Sequence, residues 1–199
     1  MGAQQRRQRW LHRPAVVAAV ALALMFGAGS GARAGTTETA LAITHYRQNE
    51  SNWCWASAAQ VVIKWHTGTK YAQCTLAKYG KGSSTCANSV GSTGDIEKIV
   101  DHYLGEGGNW HNAGIYNLYL SASIDQRRPI ISRIQWRAGG GHFVTVYGYR
   151  NTNGAYTVLY SNENGAVGTG TDAKRSTRTV AQFVSNSDFT NTHNMSVGK

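Results

Sequence analysis

The sequence predicts an α+β domain in which helices come first and an antiparallel sheet follows. Three observations carry that expectation. Apolar residues recur at helical spacing over residues 51–65 and again over 93–104. Three later segments, 129–136, 142–150 and 155–162, are dense in Ile, Val, Tyr and Thr, as strands are. Between the last two stands Asn151-Thr152-Asn153-Gly154, a stretch suited to a hairpin turn.

The first 34 of the 199 residues read as an export leader. Arg6, Arg7, Arg9 and Arg13 form a basic start, and an apolar run extends from Pro14 to about Ala28. Ala32-Arg33-Ala34 then gives the small-x-small pattern of a signal-peptidase site. The run falls short of the roughly 20 residues that span a bilayer, so an N-terminal anchor is the weaker reading. Arg6-Arg7 admits a twin-arginine route as well, although Gln8-Arg9-Trp10-Leu11 fits that signal only loosely. The expected division is a leader over 1–34 and one domain over 35–199, enough chain for a real core.

Within that domain residues 35–44 read as a polar lead-in. Ser51 or Asn52 caps a first helix that runs to about Trp65, with Ala58, Val61, Val62 and Trp65 on its buried side. Gly68 lies just beyond its end. A surface loop is expected over 78–85, rich in Gly, Ser and Lys. The second helix runs from about Thr93 to Leu104, with Ser92 and Asp95 as a capping box. A third covers roughly 113–126, and the three strands follow. In the Gly/Thr/Ser/Asn-rich tail from Gly165, only Val180 to Val184 predicts a further ordered element.

Charge and cysteine usage narrow the class. The chain carries 20 Lys+Arg against 10 Asp+Glu. Five of the arginines and none of the acids fall in the leader, so the domain keeps 15 basic against 10 acidic residues. These are dispersed, with no Lys/Arg block, which argues against nucleic-acid binding. Of three cysteines, Cys74 and Cys86 flank the predicted loop and suit a disulfide in an oxidising compartment. That leaves Cys54 over, either a reactive thiol or a buried inert one.

A nucleophilic thiol needs a lowered pKa and a base. Cys54 falls within the first turn of the first helix, where backbone N–H dipoles stabilise a thiolate. The best base is His142, which follows Gly139-Gly140-Gly141 and opens a strand. His45, His66, His102, His111 and His193 sit in positions that suit ordinary surface or satisfied histidines. A third group must orient the imidazole. If the strands on either side of Asn151–Gly154 form a hairpin, Asn162 at the end of the second comes beside His142. No C-x-x-C, G-x-S-x-G or H-E-x-x-H motif competes, and Gly139–Gly141 precede no Lys-Ser/Thr of a phosphate loop. Trp53 and Trp55 read as packing residues, while Trp110 and Trp136 are candidates for lining a cleft.

The segment Gln48-Asn49-Glu50-Ser51-Asn52-Trp53-Cys54-Trp55-Ala56 resembles the nucleophile segment of papain-like cysteine peptidases. Gly141-His142-Phe143-Val144 and Tyr160-Ser161-Asn162 resemble the family's histidine and asparagine segments, in the same chain order. The wording is closer to small bacterial members, effector-type and double-glycine peptidases, than to papain itself. The resemblance implies a papain-like fold, with the nucleophile helix packed on an antiparallel sheet. It implies a Cys54–His142–Asn162 triad and Gln48, six residues before the cysteine, as oxyanion donor. It also implies a secreted, monomeric thiol peptidase that acts on peptide or protein without a cofactor or bound metal and without stable membrane association. One departure stands out. Papain follows its asparagine with Ser-Trp and many small bacterial relatives have Asp-Pro, whereas Asn162 precedes Glu163-Asn164-Gly165. The same residues would serve a thiol acyltransferase or amidase, or persist in a catalytically silent binding module.

Overall fold

The computed structural model of the protein describes residues 35–105, 108–162 and 173–198. The leader expected over 1–34 lies outside them, as do residues 163–165 after Asn162. Twelve elements follow in order: β1 (Thr36–Ala40), α1 (Cys54–Thr67), α2 (Gln73–Lys81), α3 (Thr93–Leu104), β2 (Trp110–His111), α4 (Asn117–Asp125), β3 (Ile130–Trp136), β4 (Gly141–Thr152), β5 (Ala155–Asn162), β6 (Lys174–Thr179), α5 (Val180–Val184) and β7 (Phe189–Ser196). The arrangement is α+β, with helices in the N-terminal half and an antiparallel sheet behind them.

The sheet has seven strands, in the order β2-β7-β3-β4-β5-β6, and β1 pairs with β4 beside this path. Every pairing is antiparallel. β3 pairs with residues 141–146 of β4 and β1 with residues 148–152, so β1 continues the row of β3. Gly148 permits this, because a Cβ there would stand 2.6 Å from the Thr39 carbonyl oxygen. Residues 35–44, expected as a lead-in, therefore contribute a strand.

Two apolar clusters cover the sheet. Trp55, Val62, Leu76, Ile96, Ile99 and Val100 bring α1, α2 and α3 against Ile131, Phe143 and Met195. Leu120, Ile124, Phe183 and Phe189 pack on Ile130, Ile134, Val144 and Val146. Val61 of α1 belongs to the second cluster, so this helix meets both.

Several expected boundaries move, each for a physical reason. Helix α1 begins at Cys54 with Trp53 as N-cap, and no side chain caps it. Ser51 and Asn52 are engaged elsewhere: Asn88 Nδ2 donates to Ser51 Oγ, and Asn52 N donates to Asn88 Oδ1. Helix α2 replaces the first part of the loop expected over 78–85 and ends at Gly82, whose φ of 59° lets it accept the left-handed cap. Helix α3 has the Ser92–Asp95 capping box anticipated for it. Helix α4 starts at Asn117 rather than near 113, because residues 113–115 are tied to β7. Asn194 Nδ2 donates to the Ala113 carbonyl, and Ile115 N donates to Asn191 Oδ1.

The tail holds more than the Val180–Val184 element. β6 closes one end of the sheet and β7 runs through it, between β2 and β3. The inward residues of β7 include Asn191 and Asn194, both buried. They bond each other, and Ser132 Oγ donates to Asn194 Oδ1 at 2.6 Å. A strand whose core positions are satisfied asparagines carries no apolar alternation to detect.

The Cys74–Cys86 disulfide joins α2 to the chain that leads into residues 87–91. That stretch straps the start of α1. Trp53 Nε1 donates to the Ala87 carbonyl and Trp55 Nε1 to that of Ser89. A Cβ on Gly91 would lie 2.2 Å from the Trp55 ring. Gly91→Ala is therefore expected to destabilise the protein by about 3 kcal/mol, read as a lowered midpoint in denaturant. Replacing Cys74 and Cys86 together by Ser is expected to cost a comparable amount, about 3 kcal/mol for a loop of this length.

Candidate active site

A cleft of about 360 Å³ opens where the start of α1 meets the β3–β4 turn. Ser51, Asn52 and Cys54 form one wall, and Val90 and Gly91 of the strap form another. Arg133, Trp136, Gly140, Gly141, His142 and Phe143 close the sheet side. Two of the sequence candidates, Cys54 and His142, thus share one cavity, and Asn162 joins them by its bond to His142.

Cys54 is half-buried, is in no disulfide and is the first residue of α1. Its backbone N–H is among the first four of the helix, which have no intrahelical acceptor. The positive end of the helix dipole lies at its sulfur. The expected position within the first turn is met, although the cap is Trp53.

His142 is the second residue of β4. The turn before it needs its glycines, since Gly139 and Gly140 have φ of 98° and 79°. The side chain is 3 % exposed. Its Nε2 lies 2.9 Å from Asn162 Oδ1. An amide oxygen only accepts, so Nε2 carries the proton and Nδ1 is the nitrogen with a lone pair. The hairpin reading placed the two residues together, and they meet diagonally rather than face to face. Thr152 pairs with Ala155, the register slips between Val146 and Gly148, and Thr145 pairs with Ser161. One step further, Asn162 falls opposite Val144, on the face His142 shares.

The Trp136 ring stacks on His142, with centroids 5.9 Å apart and planes 22° apart. It leans in turn edge-on against Phe189. An indole on β3 therefore covers one side of the imidazole. Burial pushes the His142 pKa down to about 4, opposed only in part by the Asn162 bond. Burial therefore favours the neutral imidazole.

Gln48 is buried, one turn of chain ahead of α1. Its Nε2 donates to the carbonyls of Glu50 and Ser51, at 2.9 and 2.7 Å, which engages both amide hydrogens. Its Oε1 is buried with no partner among the described residues. Two residues that the sequence did not single out hold this loop. Gln73 Oε1 accepts from Asn49 N, and Gln73 Nε2 donates to the Arg47 carbonyl and to Gln60 Oε1. Gln60 and Gln73 lie on α1 and α2 and are both buried. Their only signal in sequence is a glutamine where an apolar residue is expected.

The other histidines lie away from the cleft. His66 Nε2 bonds the Val197 carbonyl, and His102 stacks on Tyr79. His111 stacks on Tyr119, His45 meets Tyr147 edge-on, and His193 bonds Thr192. Trp53 and Trp55 are buried in the helical cluster. Trp110 packs beside Phe143 and donates to the Thr93 carbonyl. Among the described residues no group of three His, Cys, Asp or Glu side chains could hold a metal ion. No helix among them is long and apolar enough to cross a membrane.

The model of the Peptidase_C39 like family matches residues 40–196 of the chain. Among solved structures, a protein of Bacillus anthracis assigned as a C39-like peptidase superposes with a TM-score of 0.53 at 11 % identity, covering 82 % of this chain and 98 % of that one. A structure from work on antibody cross-reactivity between the mite allergens Blo t 1 and Der p 1 matches with a TM-score of 0.49 at 12 % identity, covering 78 % and 67 %. No curated protein matches. The fold is shared with the C39-like peptidase structure.

The depressed His142 pKa has a consequence for stability. Below its ordinary value of 6.5 the unfolded chain binds a proton that the folded chain refuses, down to about pH 4. Stability is unaffected by His142 above pH 6.5 and falls as pH drops through that window, by up to about 3 kcal/mol. Urea midpoints measured from pH 7 to pH 4 are expected to decline less steeply in His142→Gln than in the parent.

Proposed function

The chain belongs to the Peptidase_C39 like family, and on that premise we propose that it is an exported thiol peptidase working through Cys54, His142 and Asn162. The observation that carries the reading is the bond from His142 Nε2 to Asn162 Oδ1, beside the cleft that Cys54 lines. It directs the proton-accepting nitrogen, Nδ1, away from the asparagine and leaves it for the thiol.

The chemistry follows from these positions. His142 Nδ1 takes the proton of the Cys54 thiol as the sulfur attacks the peptide carbonyl carbon. Burial disfavours an isolated imidazolium, so the proton arrives together with the thiolate that balances it. His142 then gives the proton to the leaving amine, and water repeats the sequence to release the acyl group. Asn162 keeps the tautomer, and Trp136 shields the ring where papain uses a tryptophan after its asparagine.

The developing oxyanion is stabilised by the Cys54 backbone N–H. Gln48 joins as second donor by releasing one of its two carbonyl partners. Its unpartnered Oε1 supports this, since a buried acceptor left unsatisfied costs about 1–3 kcal/mol and marks an amide not optimised for stability. The disulfide fits an oxidising compartment, and the leader over 1–34 would deliver the domain there.

Treating the purified protein with an irreversible thiol-directed peptidase inhibitor is expected to label Cys54, as read by mass spectrometry. Labelling should be lost in His142→Ala. Cleavage of a peptide mixture should fall by more than about 10³-fold in Cys54→Ala and by about 10²-fold in Gln48→Ala. Asn162→Ala should lose less than His142→Ala, because neighbouring groups partly restore orientation. Absence of labelling in the reduced protein would sink the reading.

A further inference from the structure

Apart from the reacting pair, the described lining of the cleft contains a single charged side chain, Arg133. Its guanidinium is held by two neutral oxygens: Nη1 donates to Thr192 Oγ1 at 3.0 Å and Nη2 to Gln135 Oε1 at 2.8 Å. Both holders are themselves fixed. Gln135 Nε2 donates to the Gly140 carbonyl, and Thr192 Oγ1 to the carbonyl of Arg133. Gly141 leaves the space, because a Cβ there would lie 2.8 Å from Nη2.

No acid neutralises this group among the described residues. Their ion pairs, Lys81–Asp95, Arg150–Glu38 and Arg178–Asp188, all lie elsewhere. The field of Arg133 adds to burial in lowering the pKa of neighbouring His193. Of the five N–H donors of a guanidinium, the two bonds engage two, and the planar fork suits a carboxylate. A fixed cation, half-buried and paired only with neutral acceptors, is poorly explained by stability, since a half-buried charge gains most from an opposite one.

The geometry points to Arg133 as the specificity-determining residue of this cleft, a cation that selects peptides carrying a carboxylate. The inference rests on the thiol-peptidase reading and names its substrate class. The carboxylate comes either from an Asp or Glu side chain near the scissile bond or from a free C-terminus. Both offer the same two oxygens to the guanidinium.

The test digests two mixed peptide libraries with the full chain, one blocked by C-terminal amidation and one with free C-termini, and sequences the products. Thiol-inhibitor labelling of Cys54 runs in parallel. Acidic residues enriched around the cut in the amidated library identify the side-chain source. Preferred cutting near the terminus in the free library alone identifies the terminal carboxylate. In either case Arg133→Gln is expected to lower kcat/KM for the preferred peptide by about tenfold to a hundredfold. Arg133→Lys should keep the preference in weaker form, and Arg133→Glu should turn it towards Lys and Arg. The melting curve of each variant checks that it is folded. Cleavage by the parent with no acidic or terminal preference overturns the inference whatever the variants do. Labelling of Cys54 without any cleavage overturns it too, while leaving the nucleophile standing. Absence of both labelling and cleavage is the separate failure of the peptidase reading itself.

Discussion

The slot that holds the Trp55 indole is the constraint on which the site depends. Trp55 directly follows Cys54 and is wholly buried. It is flanked by two glycines, Gly80 of α2 and Gly91 of the strap, at which a Cβ would stand 2.9 Å and 2.2 Å from the ring. Its Nε1 bonds the strap backbone at Ser89, and the Lys81 ammonium lies 5.3 Å from the ring centroid. One side chain therefore fixes the start of α1 to both α2 and the cleft wall. Without that fixing, an uncapped helix end would fray, and the N–H groups aimed at Cys54 would lose their direction.

The opposite side of the cleft is fixed by strand pairing rather than by a helix. Pairs from Ile130–Val146 to Gln135–Gly141 hold β3 against β4, and the turn between them closes through Trp136 N to the Gly140 carbonyl. This turn places Trp136, Arg133 and His142 on one rim. β5 then carries Asn162 to the imidazole, through a register that slips once on the way. The two halves of the site are held by different means, one a helix wedged by an indole and the other a hairpin held by its ladder. Beneath the cleft α1 packs on both strands through the two apolar clusters, and Cys54 and His142 line the cavity above.

Much of this was legible in the sequence because local signals and the fold agree there. Helix α3 shows both its apolar period and its cap, and β4 and β5 show β-branched runs around Asn153-Gly154, whose φ of 54° and 88° suit the tight turn. Cys54 and His142 were legible from position within such elements. What was hidden depends on partners distant in the chain. β7 carries Asn191 and Asn194 inward, and only Ser132 and residues 113–115 explain them. Gln60 and Gln73 are polar residues on buried helix faces that make sense only beside Arg47 and Asn49. The N-cap was misplaced for the same reason, since Asn88 takes the side chains that would have capped α1. Trp136 was visible as a tryptophan near glycines, but its stacking needed the β3–β4 register.

The electrostatics of the cleft now read as one arrangement. The N-terminus of α1 contributes partial positive charge at Cys54, and Arg133 contributes a full one at the rim. Burial disfavours charge on His142, pushing its pKa down to about 4. In the reading proposed above, attack leaves a thiolate or oxyanion balanced by the protonated His142, and the carboxylate proposed for Arg133 brings a further anion. A cleft already bearing a cationic His142 would repel its own Arg133 and would have no lone pair to accept the thiol proton. In that reading, an imidazole kept neutral until the sulfur ionises lets the same small cavity hold a fixed cation and a general base together. Burial of His142 beneath Trp136, which costs stability in acid, is therefore what makes the two compatible.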